Sequence, residues 1–373
     1  MTTAQSIPFF NYPALFKKDE SKIMELLRDV LSRGAFILQR DLAEFEDALK
    51  EYLGVKYVYG VADGTNAMIL GLRAMGIGEG DEVIVPSHTY IATAAAVHFV
   101  GATPVLADML PEHMIDPASI ERKITERTAA IMPVQLNGRT CDMDAIQAIV
   151  DKHNLRLCED AAQALGSSFK GKCAGTFGEF GSFSFYPAKV LGSFGDGGAV
   201  VSNDDEIGRK LGLLRDHGRD EDGNVVEWGT NSRPDNVQAA VLNYKFNTYD
   251  QDIERRRDIA RMYHERLSGL NDITLPPSPD ADPRHFDVYQ NYEIEAGSRD
   301  ALRAFLSDKD IGTLIQWGGI PVHKFSELGF DESLPATEEF FERCFMLPMH
   351  TALSDEDLER ICDVIHEFYR TQV

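Results

Sequence analysis

Positive charge is what this chain has least of. Its 373 residues carry 37 Lys and Arg against 60 Asp and Glu, for a net charge of −23. So acidic a chain is a poor partner for nucleic acid or for an anionic membrane surface, although a local pocket can still be basic. Long apolar runs are missing too. No stretch approaches the ~18 residues of a membrane span. The opening Met-Thr-Thr-Ala-Gln-Ser-Ile-Pro has neither the basic flank nor the apolar centre of a secretory signal. The five cysteines (Cys141, Cys158, Cys173, Cys344 and Cys362) are odd in number, scattered and without CxxC spacing. They read as reduced core thiols of a cytoplasmic protein, and no metal site is expected. Low-complexity tracts, long linkers and internal repeats are absent. What is there is 43% hydrophobic residues, ample for a large core and about two domains.

The chain is organised around Gly181-Ser-Phe-Ser-Phe-Tyr-Pro-Ala-Lys189 and the loop that follows, with Gly192, Gly195, Gly197 and Gly198. An aromatic, β-prone run leads to a proline turn, a single lysine and then flexible backbone. A lysine so placed can be desolvated, which disfavours its ammonium form and frees an amine able to form an imine. The plain alternative is a solvated lysine after a strand. Upstream, Arg156-Leu-Cys-Glu-Asp160 reads as a buried strand ending in a carboxylate, at the edge where open parallel sheets place ligands. Asp160 alone could be a cap or turn residue. Asp160 and Lys189 together suit a pyridoxal phosphate site. There the carboxylate keeps the pyridine nitrogen protonated and the lysine carries the cofactor as a Schiff base. A Rossmann dinucleotide site is excluded, because Gly192-Ser-Phe-Gly-Asp-Gly-Gly lacks GxGxxG spacing and opens no helix after a first strand.

From 57 to 160, strand and helix patterns alternate, as in a mostly parallel sheet with helices on both faces. Residues 1–12 read as a loosely held arm, followed by helices over 22–31 and 42–53. Asp63-Gly-Thr-Asn-Ala opens a helix directly after a strand. Gly64 leaves backbone uncovered, Thr65 offers a hydroxyl, and the helix N-terminus supplies free N–H groups, a phosphate site in outline or simply an N-cap. A charged helix over 252–270 is the hinge between a large domain, 1–246, and a smaller α+β domain, 247–373. In the latter, 286–295 alternates as an antiparallel strand, 315–317 reads as another strand, and Ser354 caps a closing helix. His88 is given no role.

The motifs, taken in order, carry a resemblance. They are Gly-Thr-Asn-Ala at 64–67, Pro-Ser-His-Thr-Tyr at 86–90, Gly-Ala-Thr-Pro-Val at 101–105 with Asp108, and Glu-Asp-Ala-Ala-Gln at 159–163. Ser-Phe-Tyr-Pro-Ala-Lys at 184–189, Gly-Asp-Gly-Gly-Ala at 195–199, Gly-Thr-Asn-Ser-Arg at 229–233 with Gln-Ala-Ala at 238–240, and Leu-Pro-Met-His at 347–350 follow. From about residue 36 to 358 the chain resembles the DegT/StrS family of pyridoxal-phosphate-dependent sugar aminotransferases, on the fold-type-I scaffold. It departs at 38–40, where Leu-Gln-Arg stands in place of the family's Gly-Pro element.

The resemblance implies pyridoxal 5′-phosphate on Lys189, with Asp160 at the ring nitrogen. Tyr90 would stack on the ring and Gln163 lie near its phenolate oxygen. Gly64, Thr65 and Ser184 would meet the phosphate, as would Asn231 from the neighbouring chain of a homodimer with shared sites. Phe185, Tyr186, Trp317 and His323 are expected in the substrate wall, with core packing as the alternative for each. The implied reaction moves an amino group, expected from glutamate, to a keto-sugar, foremost a nucleotide-linked keto-deoxyhexose. Alternatives are a glutamine-dependent ketocyclitol aminotransferase and a non-catalytic pyridoxal-phosphate-binding regulator. A sugar dehydratase is a third, though such enzymes replace the anchoring lysine with histidine.

Overall fold

The computed structural model describes residues 6–371. Its centre is a mixed sheet assembled in two hydrogen-bonded parts. Thr103–Ala107, Glu82–Pro86, Thr128–Ile131 and Arg156–Leu157 lie side by side and parallel. Glu159–Asp160 is parallel to Gly181–Ser184. Next come Gly198–Ser202 and then Tyr57–Val61, each antiparallel to the strand before it. The two parts form one surface. Cys158 N–H donates to Ile131 O (3.1 Å), Asp160 N–H to Pro133 O (3.0 Å), and Gln135 N–H to Asp160 O (2.8 Å). Residues 156–160 therefore run as a single strand beside 131–135. Of these strands Gly198–Ser202 alone opposes the rest, and the sheet is mostly parallel, as the alternation predicted.

Both faces of the sheet are covered, which is why its strands are apolar runs without polar alternation. Glu82–Pro86 shows the pleat: Val83 and Val85 join one core cluster, Ile84 the other. Gly64–Met75 packs among the sheet, Ile91–Phe99 and Asp205–Leu214, so most of its residues are buried. Asp63 caps it by accepting Asn66 N–H at 2.8 Å. Gly71 is where Phe180 presses against it; a Cβ there would lie 2.4 Å from the ring. Beyond residue 246 a second core gathers Tyr263, Tyr292, Phe345 and Phe368. It forms under the antiparallel strands Ile273–Thr274, Tyr292–Ala296 and Cys344–Leu347.

Four expectations change. The loose arm over 1–12 does not hold for its described part. Ile7 is buried, donates to Asp310 O and accepts from Gly312 N–H, each at 2.8 Å; residues 1–5 lie outside the described residues. The helix expected over 22–31 runs over Tyr12–Arg33, capped by Asn11. The strand expected over 286–295 is broken, because Tyr289 is left-handed at φ 49° and ends the extension before Tyr292. Residues 315–317 form no strand; Gln316–Gly319 is a tight turn with Trp317, Gly318 and Gly319 all left-handed.

The Phe180 contact yields a stability test. Gly71→Ala adds ~1 kcal/mol of helix propensity, but overpacking a filled core costs ~1–3 kcal/mol. The midpoint of urea unfolding should fall below that of the wild type and of a Gly269→Ala control, whose site has nothing within 4 Å. A Gly71→Ala protein more stable than wild type would show that the ring yields freely.

Candidate active site

A cavity of about 730 Å³ opens at the C-terminal ends of the parallel strands, within the usual range for ligand pockets. Each strand end delivers part of its wall. Asp63 to Asn66 follow Tyr57–Val61; Thr89 and Tyr90 follow Glu82–Pro86; Val134 and Leu136 follow Thr128–Ile131. Asp160 and Gln163 come from the central strand, and Ser184, Tyr186 and Lys189 from Gly181–Ser184 and its turn. Asp196 enters just before the reversed strand. A parallel sheet alone gathers residues this distant in sequence at one edge.

Asp160 and Lys189 are the centre of the wall. Asp160 is buried, and its backbone is bonded to Pro133 and Gln135 on the adjoining segment. Its Oδ2 accepts from Thr93 Oγ1 (2.7 Å) and its Oδ1 from Ala162 N–H (3.1 Å). Burial pushes its carboxyl up, partly offset by Thr93, the Ala162 N–H and the charge of Lys189. Lys189 keeps some exposure through the cavity but is otherwise enclosed by protein. Burial pulls its amine down to about 8, against the raising effect of Asp160.

The other expected residues divide. Gly64, Thr65, Tyr90, Gln163, Ser184, Tyr186 and Trp317 share the cavity wall. Gln163 sits in a turn after the Asp160 strand, and its Oε1 accepts the Asn137 N–H at 2.8 Å. Phe185 and His323 do not reach the cavity. Side chains alternate across a strand, and Phe185 points the other way, into the core against Phe45. His323 is buried beside Ser87 Oγ (2.7 Å) and Glu338 Oε1 (3.3 Å). Asn231 lies on the surface, its Oδ1 accepting from Arg233 Nε.

Sequence reasoning missed two residues that hold Asp160 and Lys189. Thr93 is the polar exception in the apolar run Ile-Ala-Thr-Ala-Ala-Ala-Val, which was signal enough to find it. Gln290 is the other. Its Nε2 donates to Ala188 O (2.7 Å) and its Oε1 accepts from Val190 N–H (2.8 Å), so one side chain clamps the backbone on both sides of Lys189. Nothing local in the sequence announces a contact from so far along the chain.

A family model described as the DegT/DnrJ/EryC1/StrS aminotransferase family matches residues 17–366. Among curated proteins, dTDP-3-amino-3,4,6-trideoxy-alpha-D-glucose transaminase of Streptomyces venezuelae is 39% identical over 368 residues, covering 97% of this chain and 96% of its own length. A pleiotropic regulatory protein of Geobacillus stearothermophilus is 37% identical over 371 residues, covering 98% and 99%. Among solved structures, S. venezuelae DesV in complex with a ketimine intermediate aligns with a TM-score of 0.93 at 38% identity, covering 98% of this chain and 99% of that one.

The Lys189 environment sets a pH dependence. Below about 8 the amine is charged and inert; above it the amine is neutral, well before an ordinary lysine at about 10.4. In the cofactor-free protein, labelling of Lys189 by an aldehyde with borohydride trapping should rise with pH, with its midpoint near 8. Asp160→Asn removes the charge that supports the ammonium form, so the midpoint should move lower still. A midpoint near the ordinary lysine value would show that the side chain is solvated.

Proposed function

The chain belongs to the DegT/DnrJ/EryC1/StrS aminotransferase family, and we propose that within it the protein moves an amino group from glutamate onto a nucleotide-linked keto-deoxyhexose. It is an aminotransferase, and its cofactor is pyridoxal 5′-phosphate. The residues present fit that cofactor. A side-chain carbon on Gly64 would stand 2.9 Å from Ser184 Cβ. The glycine thus keeps a crevice open between a helix N-terminus and a serine, a setting that suits a phosphate dianion. Thr65 adds a hydroxyl there, Asp160 a buried carboxylate for the ring nitrogen, and Lys189 an amine for the aldehyde. When bound, the cofactor supplies an electron sink through which an amine and a ketone exchange nitrogen in two half-reactions. Lys189 Nζ, which sheds its proton far more readily than an ordinary lysine, is the group to take a proton from one carbon and return it to another. Asp160, held by Thr93 and the Ala162 N–H, keeps positive charge at the ring nitrogen.

The strongest support is this acid–base pair set in a cavity with an aromatic rim. Tyr90, Phe99, Tyr186 and Trp317 line it, and flat apolar rings suit the C–H face of a sugar. The Streptomyces relative's name supplies the nucleotide-linked deoxysugar. A non-catalytic regulatory role is favoured by the Geobacillus relative's name, but such a protein has no need of a depressed lysine beside a buried carboxylate. Glutamate added to the loaded protein should therefore discharge the visible absorbance of the aldehyde form. A screen of keto-sugar nucleotides, followed by mass, should then find an aminated product. An unchanged spectrum with glutamate would favour the regulatory role.

We infer further that a homodimer shares its sites. Thr65, Ser184 and the helix N-terminus supply one side of a phosphate site, but the wall of one chain sets Asp63, Asp160 and Asp196 against the single amine of Lys189, so the remaining face of a phosphate dianion needs donors from elsewhere. Asn231 is exposed. In the segment before it Trp228 is 86% exposed, Val225 69% and Val226 57%, an apolar patch that suits an interface. We also place the domain boundary after Phe246, supported by the separate core beyond it, and the protein in the cytoplasm. No helix among the described residues is long and apolar enough to cross a membrane. Asn231→Ala and Lys189→Ala chains, each inactive alone, should regain activity on mixing, since one site of each mixed dimer carries neither lesion. Inactivity after verified subunit exchange would sink the shared site.

A further inference from the structure

How the Gln163 amide is turned in the cavity wall is decided by a neighbour. The Asn137 backbone N–H lies 2.8 Å from the oxygen end of that amide. A backbone N–H can only donate, so the end facing Asn137 must be Oε1. Nε2, with two hydrogens, has no other partner among the described residues, and the residue lines the cavity beside Lys189.

Asn137 is itself firmly held. Its backbone is left-handed at φ 54°, a conformation that a residue with a side chain keeps only when its surroundings impose it. Its Nδ2 donates to Glu293 Oε2 (2.7 Å), and its Oδ1 accepts from Asn291 Nδ2 and Gln316 Nε2, each at 2.8 Å. Glu293 is buried, with His88 Nε2 at 3.5 Å from Oε2. Burial pushes its carboxyl up, but His88, His113 and Asn137 more than offset this and leave it below the ordinary range. A buried carboxylate from the C-terminal half of the chain thus ends a line of hydrogen bonds that begins in the cavity.

We propose that Glu293 and Asn137 are positioning residues for Gln163, turning its two N–H donors toward an oxygen of the cofactor ring. The proposal rests on Gln163 being a cofactor contact. Glu293 fixes the Asn137 amide, the amide fixes the left-handed turn, and the turn aims the N–H that takes Gln163 Oε1. A donor on the ring's phenolate oxygen favours its anionic form. It thereby lowers the pH at which the bound cofactor loses its proton.

The readout is the pH midpoint of the bound cofactor's visible absorbance, with the cofactor dissociation constant alongside. Gln163→Leu, Asn137→Gly and Glu293→Met should each raise the midpoint by about one unit, the scale of one lost hydrogen bond. Asn137→Gly tolerates the left-handed backbone but loses the amide that fixes it, and it adds no charge, so it carries the test if Glu293→Met fails to fold. Glu293→Gln keeps an oxygen for Asn137 Nδ2 and should stay near the wild type. The sign separates positioning from charge. Loss of the Glu293 charge alone would lower the midpoint, and equally in Glu293→Met and Glu293→Gln. If Gln163→Leu raises the midpoint while Asn137→Gly and Glu293→Met leave it unmoved or lower it, the positioning role is overturned and the Gln163 contact stands. If Gln163→Leu itself moves nothing, the contact fails and the positioning role fails with it.

Discussion

Taking Lys189 and Asp160 out of water on one cavity wall is unfavourable for both charged forms, and the surrounding residues answer that unfavourable term unequally. Desolvation pulls the amine down and pushes the carboxyl up. Asp160 receives two donors, Thr93 Oγ1 and the Ala162 N–H, and Thr93 is tied in turn to Thr89 Oγ1 at 2.7 Å. Among the described residues, Lys189 is supported by the charge of Asp160 alone. The carboxylate is therefore held for its charge and the amine is left free to shed its proton. Gln290 fixes the backbone on either side of that amine, so the lysine is held at its root.

The sheet makes this pair possible. Asp160 ends a strand, 156–160, that lies beside 131–135 on one flank and leads into the pairing with Gly181–Ser184 on the other. It therefore reaches the sheet edge with backbone bonds on both flanks. The reversed Gly198–Ser202 brings the glycine-rich loop back to the same edge and closes the wall at Asp196.

What could be read from the sequence was whatever local chemistry encodes. The alternation from 57 to 160 gave the mostly parallel sheet, and the Asp63 cap is a matter of a few neighbouring residues. The depressed lysine was legible as a single charge between aromatics and glycines. Phe185 and His323 were misplaced because their types suit a substrate wall, while pleat direction and tertiary packing decided where they point. Trp317 reached the wall by a route the pattern did not suggest, through a left-handed turn set by Gly318 and Gly319. Gln290, Asn137 and Glu293 were invisible for another reason. Each acts on a residue brought near only by the completed fold, and no period or cap records such a contact.

The pairing of Ile7 with residues 310–312 has a consequence for how the chain comes off the ribosome. Ile7 joins the same core as Ile294, Phe345 and Phe368, all of which are synthesised far later. Ile7 must wait, with its apolar side chain unburied, until the residues of that core have emerged. Closing so long a loop adds only slowly growing entropy, so the delay is one of sequence order more than of free energy. Once closed, the stitch ties Ile7 to a core built from residues made far later.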